Sequence, residues 1–234
     1  MVSTAPSTAW RIYVRSAAYT LAALLVAGGI GYAHGDTYGL TLKATPWFMA
    51  AAGGLVAFPS AALGKARFAL WSVGAFVFIY LVQAAGVASG TIFGHFGYGA
   101  VLGVKWLGVP IVIVVIWLLM VHGAACISCR LLPWTEMGWR KPAAAIAAGG
   151  IVASFDVMFQ PVATKLGYWT WYPEGSSIPT QSHVAWFAIG TLCAALHPRV
   201  VRHARAMGPE GRLAGTFVAL LMAFLFVLRA SLDP

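Results

Sequence analysis

Charge is scarce in this chain. Only 9% of its residues are Asp, Glu, Lys or Arg, against roughly 25% in a soluble domain. Hydrophobic residues make up 60% and mean hydropathy is +0.81. An ordinary soluble fold is thereby excluded, and a polytopic membrane protein is indicated. Acids are scarcer still, six in 234 residues, and they are scattered, so acid-rich magnesium motifs of the intramembrane prenyltransferase kind are absent. The three cysteines, Cys126, Cys129 and Cys193, do not make a disulfide framework. His122, Cys126 and Cys129 are spaced so that three donors fall near one helix face, which zinc can use. Small buried cysteines explain the same spacing, no further ligand cluster follows, and no metal is expected. Haem is not expected either, because His122 and His183 fall at opposite membrane ends. No cofactor is implied. A signal-peptide cleavage pattern is missing too, and the first apolar segment is long enough to stay as an anchor.

What is present is a series of apolar runs. Seven spans are expected, at about residues 13–33, 45–63, 68–88, 109–129, 142–160, 181–197 and 213–229, each near the roughly 17–25 residues that cross a bilayer. The expected fold is an all-α, polytopic membrane helix bundle of about seven transmembrane helices. Residues 1–12 read as a polar N-terminal tail and 13–234 as a single transmembrane helical domain. Eleven of the fifteen Lys and Arg residues fall on one side: Arg11, Arg15, Lys65, Arg67, Arg130, Arg140, Lys141, Arg199, Arg202, Arg205 and Arg212. Lys43, Lys105, Lys165 and Arg229 fall on the other. Positive charge stays inside, so the N-terminus is expected in the cytoplasm and the C-terminus outside. A bacterial inner membrane is the expected location. The net charge of +9 then reads as topology anchoring near anionic lipid rather than nucleic-acid binding, since no soluble module carries it. The last span, LAGTFVALLMAFLFVLR, has no lysine, which excludes a retinal Schiff base. No internal repeat of the transporter kind is visible.

Residues 154–186, SFDVMFQPVATKLGYWTWYPEGSSIPTQSHVAW, hold the densest chemistry. Asp156 interrupts an apolar span, at a cost of roughly 2.5–3.5 kcal/mol on insertion scales. Tyr168, Trp169, Trp171 and Tyr172 follow, then Glu174. These aromatics form either an interfacial belt or a pocket wall; the nearby acids favour the wall. A second segment, GTIFGHFGYGAVLGVKWLGVP (residues 90–110), is Gly-rich yet apolar and aromatic. It is expected to be a partly re-entrant or interfacial loop over the bundle mouth. His95 there lines the pocket or makes an interfacial polar contact. The loop over 161–180 is expected to open at Pro161 and close at Pro179.

At these residues the chain resembles the carotenoid biosynthesis membrane proteins, which include carotenoid 1,2-hydratases such as the γ-carotene and bisanhydrobacterioruberin hydratases. The similarity runs over roughly residues 70–195. Gly94, Tyr98, Leu102, Gly103, Gly108, Val109, Pro110 and Trp117 carry one part of the pattern. Asp156 and Pro161 carry the aspartate-to-proline motif, and Trp169 and Trp171 the Trp-x-Trp. Gln160 stands where the family usually has a second acid, Ser182 where it has asparagine, and Ala185 where it has glycine.

The resemblance implies an apolar carotenoid substrate in contact with membrane lipid, with other enzymes of carotenoid synthesis as possible partners. The implied reaction adds water across a terminal isoprenoid double bond. An acid protonates the less substituted carbon, and water captures the tertiary carbocation. Asp156 is the expected general acid, with a helix-packing hydrogen bond as its other reading. Tyr168, Trp169, Trp171 and Tyr172 are expected to stabilise the cation. Glu174, Gln160, Ser182 or His183 would orient the water, and Tyr98, His95 and Trp186 complete the substrate-binding set. A carotenoid cyclase, which starts with the same protonation, and a non-catalytic carotenoid- or lipid-binding subunit stay open.

Overall fold

In lipid every backbone polar group must be satisfied within the segment, so apolar runs of this length become helices. The computed structural model describes residues 8–63, 66–132, 139–201 and 208–232. Its helices are α1 (Thr8–Ala33), α2 (Gly35–Leu63), α3 (Ala66–Ser89), α4 (Ile111–Leu131), α5 (Arg140–Lys165), α6 (Thr180–Ala195), α7 (Pro198–Val201) and α8 (Pro209–Leu232). Each expected span falls mostly on one helix, α1 to α6 or α8, with residues 109–110 and 196–197 outside α4 and α6. Among the described residues, five of these helices, α1, α3, α4, α5 and α8, are long and apolar enough to cross a membrane. Helix α2 is longer than its expected span and carries Pro46 and Pro59 inside it. Helix α6 has 16 residues, about 24 Å, short of a hydrocarbon core of roughly 30 Å. Of the expected polar tail, residues 1–7 lie outside the described residues and 8–12 belong to α1. Lys65, Arg202 and Arg205 of the charge pattern also lie outside them.

Helix α4 is the axis of the bundle. It is apolar all round and most of its residues are buried, as expected for a helix enclosed on every side. Helices α2, α3, α5, α6 and α8 pack around it. The outer helices turn apolar surface outward instead: Leu70, Val73, Val77 and Leu81 form an exposed stripe along α3.

The expectation of an all-helical chain misses four short strands: β1 (Phe96–Tyr98), β2 (Lys105–Trp106), β3 (Val109–Pro110) and β4 (Trp169–Trp171). Strand β1 pairs antiparallel with β4, Phe96 opposite Trp171 and Tyr98 opposite Trp169. β2 pairs with β3. The Gly-rich segment therefore answers its backbone polar groups by pairing with the aromatic segment, which is how irregular chain at the bundle mouth stays satisfied.

The second loop also starts later than its proline suggests. Pro161 lies inside α5, a position membrane helices tolerate. Helix α5 ends instead at Gly167, whose φ is +68°. Tyr168 N–H donates to Ala163 O at 2.8 Å and Gly167 N–H to Thr164 O at 3.1 Å. That is a Schellman ending, which needs the left-handed residue glycine supplies. It turns the chain directly into β4, beside the last turns of α5.

Candidate active site

Asp156 and Gln160 stand one turn apart on the buried face of α5, which i,i+4 spacing requires. Asp156 has no exposed surface. Gln160 Nε2 donates to Asp156 Oδ1 at 2.8 Å, and His183 Nδ1 lies 2.6 Å from Asp156 Oδ2. His183 comes from the first turn of α6, and its side chain is 25% exposed. It is thus the link between a sealed carboxyl group and the outside. Ser182, next to it, receives a second hydrogen bond from Gln160 Nε2 at 3.1 Å. Trp169 Nε1 donates to Gln160 Oε1 at 2.9 Å. Every polar atom of the Gln160 side chain is engaged, so this amide holds α5, α6 and β4 together. A buried polar network of this kind fixes one arrangement only when its members are satisfied.

Beside this network lies a cavity of about 20 Å³ lined by Gln83, Phe93, Phe96, Tyr98, Trp117, Gln160, Trp169, Trp171, Ser182 and Trp186. Its walls are aromatic faces and edges. Trp117 and Trp186 stack with ring centroids 3.5 Å apart, and Phe93 stacks on Trp186 at 5.4 Å. Phe96 meets Trp171 at 5.2 Å, and Tyr98 meets Trp169 edge-on at 5.8 Å. The two ring pairs from β1 and β4 follow from strand register, which points Phe96, Tyr98, Trp169 and Trp171 to one face. The Tyr98 hydroxyl donates to Gln83 Oε1. Desolvation, and then the nearby Asp156 charge, raises the Tyr98 pKa above that of an ordinary phenol, so this group remains a donor.

The structure brings together Asp156, Gln160, Tyr98, Trp169, Trp171, Ser182, His183 and Trp186. It separates others. Tyr168 is buried, but its hydroxyl lies 3.1 Å from the Tyr32 hydroxyl. It lines a different, apolar cavity of about 100 Å³ with Leu21, Gly28, Thr45, Phe155, Phe159 and Phe224. Desolvation, reinforced by Tyr32, pushes the Tyr168 pKa up. Tyr172 is 56% exposed and lies over Gly97 on the outer face of β1. Both flank β4, Tyr168 just before it and Tyr172 just after, off the face that Trp169 and Trp171 share. His95 and Glu174 are exposed on the loops. Glu174 makes no hydrogen bond or ion pair with any described residue.

Sequence reasoning did not single out Gln83, Phe93 or Phe96. Gln83 carried a signal, since it is an amide in the apolar run of α3, and a polar residue in a span marks an interior contact. Nor did it pair His122 with His197. Their rings lie 3.0 Å apart, Nδ1 to Nε2, in a second buried cluster with Trp71 and Phe68. Cys126 Sγ is 3.9 Å from His122 Nδ1. Among the described residues, no three His, Cys, Asp or Glu side chains gather as a metal site.

An open apolar groove of about 910 Å³ runs between α2 and α4 beneath residues 100–104, with Leu42, Pro46, Trp47 and Val112 among its walls. The bundle thus carries an open apolar groove and, separately, a small polar and aromatic centre. Comparison with curated proteins and with solved structures finds no match. A family profile described as carotenoid biosynthesis protein matches residues 44–233, which include the whole of the site. The chain belongs to the carotenoid biosynthesis protein family.

Proposed function

We propose that this membrane protein is a cofactor-independent hydratase that adds water across a terminal isoprenoid double bond of a linear or half-cyclised carotenoid. The observation that carries this reading is the placement of Asp156. It is a fully buried carboxyl group, held by Gln160 and His183, one hydrogen-bonded residue away from a cavity walled by tryptophans. Asp156 protonates the less substituted alkene carbon. Aromatic faces stabilise the tertiary cation, each by about 0.5–2 kcal/mol. Water captures it, and the proton released restores the acid. His183, the exposed neighbour of Asp156, returns protons from the mouth of the bundle. Gln160, where the family usually carries a second acid, leaves Asp156 as the single proton donor of the pair.

The polar lining of the cavity by Gln83, Gln160 and Ser182 supports hydration over cyclisation, because a cyclase must keep water from its cation. Seven crossings, by α1 to α6 and α8, with the N-terminus in the cytoplasm of a bacterial inner membrane, complete the reading. The site then faces the outer mouth.

The test is turnover of a linear carotenoid by the protein in water enriched with oxygen-18, beside Asp156→Asn. One solvent oxygen in the product, lost in the variant, is expected. A cyclised product without solvent oxygen, or undiminished turnover by Asp156→Asn, overturns it.

A further inference from the structure

Two buried N–H groups at the aromatic cavity have no acceptor: Gln83 Nε2 and Trp171 Nε1. Gln83 is 1% and Trp171 3% exposed, and both side chains line the cavity of about 20 Å³. They arrive from different elements, α3 and β4. Buried donors left without a partner are rare in folded proteins, and two at one cavity point to something that completes them.

The same cavity supplies acceptors. Ser182 Oγ and Gln160 Oε1 each accept one hydrogen bond, and each retains a second lone pair. A molecule between these groups therefore meets two donors and two acceptors. The volume is that of a single water, and a buried water requires two to four such partners. An anion finds no cation lining this cavity, and a metal ion finds N–H groups where it needs lone pairs.

We infer that the cavity holds one water molecule, kept by Gln83 and Trp171, and that this water is the nucleophile. The inference rests on the hydration reading above and names where its oxygen comes from. The balance is simple. The Asp156 carboxyl proton goes to the alkene carbon, leaving a carboxylate and a tertiary cation. One N–H···O hydrogen bond to the water opens, and the freed lone pair on oxygen forms the C–O bond. The resulting oxonium loses a proton, which restores the carboxyl group. The net change is alkene plus water to tertiary alcohol, with no oxidant or reductant. The same two N–H groups explain the choice of product. A water already in place beside the π-walls intercepts the cation before a proton is lost again or an internal alkene attacks.

The experiment follows both fates of the cation. The full-length protein turns over a linear carotenoid in deuterium oxide enriched with oxygen-18, as wild type, Gln83→Met and Trp171→Phe. Each variant removes one donor and keeps most of the volume. The yield of oxygen-18-labelled alcohol is expected to fall at least about tenfold in each, while deuterium enters the recovered alkene, because the cation still forms and collapses by proton loss. Unchanged hydration in both variants overturns the inference, and so does a joint loss of hydration and deuterium exchange in folded protein. A wild type that takes up no solvent oxygen refutes the hydration reading itself, a separate result. An experimental density map of the wild type gives a check free of substitutions. A water bridging Gln83 Nε2 and Trp171 Nε1 is expected, and a dry, closed cavity overturns it.

Discussion

Asp156 Oδ2 and His183 Nδ1 lie 2.6 Å apart across a sequence separation of 27 residues. One is fully buried in α5, and the other reaches partly into the open from the first turn of α6. A lone carboxyl group in lipid is costly. This one has a hydrogen-bond partner on each oxygen, Gln160 and the partly exposed His183. The Schellman turn at Gly167 and the β1–β4 pairing bring the chain back over the same spot. The carboxyl group, its histidine partner and the aromatic walls are thereby assembled from α3, α4, α5, α6, β1 and β4.

Replacing Asp156 with asparagine keeps the size of the side chain and removes the acid. Hydration is expected to fall by about 10²–10⁴, the usual contribution of a positioned acid. Product quantified by mass from membranes with matched protein levels checks it.

His183→Ala leaves Asp156 Oδ2 buried without its hydrogen-bond partner. A loss of about 1–3 kcal/mol in stability is expected from the unsatisfied group, along with slower turnover. Thermal unfolding in detergent measures the first. External imidazole restoring part of the rate would identify the proton-carrying role.

Trp169 does two separable things. Trp169→Phe removes the bond to Gln160 Oε1 and keeps a π-face, so a cost of about 0.5–1.5 kcal/mol in stability is expected. Trp169→Leu also removes the π-face and is expected to slow turnover further, by the equivalent of about 0.5–2 kcal/mol. Equal rates for the two variants would remove Trp169 from cation stabilisation.

Helices α5 and α6 meet through small residues. A Cβ on Gly149 would lie 2.0 Å from Thr191 Oγ1 and 2.7 Å from Phe187 O. Gly149→Ala is therefore expected to push the helices apart and destabilise the bundle by about 1–3 kcal/mol. Because α6 carries Ser182 and His183, activity should fall with it. Thermal unfolding with parallel activity measurements follows both.

Membrane orientation is open to chemical labelling because all three cysteines are buried. A cysteine in place of Glu174 should react with an impermeant maleimide in intact cells, and one in place of Lys141 only after lysis. The reverse pattern would place the site on the cytoplasmic side.

Much of the site was legible in residue order. Asp156 announced itself as an acid in an apolar span, and Trp169 and Trp171 as aromatics close behind it. Tyr172 and Glu174 did not separate from them by sequence alone. Their outward positions depend on strand alternation and on a turn beyond β4, and β4 exists only because β1 pairs with it. Gln83 and Phe93 were hidden for a different reason. They sit about seventy residues before Asp156, where only packing brings them near.

Composition and hydropathy by themselves determined that this is a membrane protein of apolar helices with one acid inside a span. Those properties depend on each segment's own free energy in lipid, which local sequence sets. Tertiary structure decided the partners: His183 and Gln160 for the carboxyl group, β1 for β4, Gln83 and Ser182 at one small cavity. Side chains meet across elements only where helix crossings, strand register and close glycine contacts place them, and no single segment carries that information.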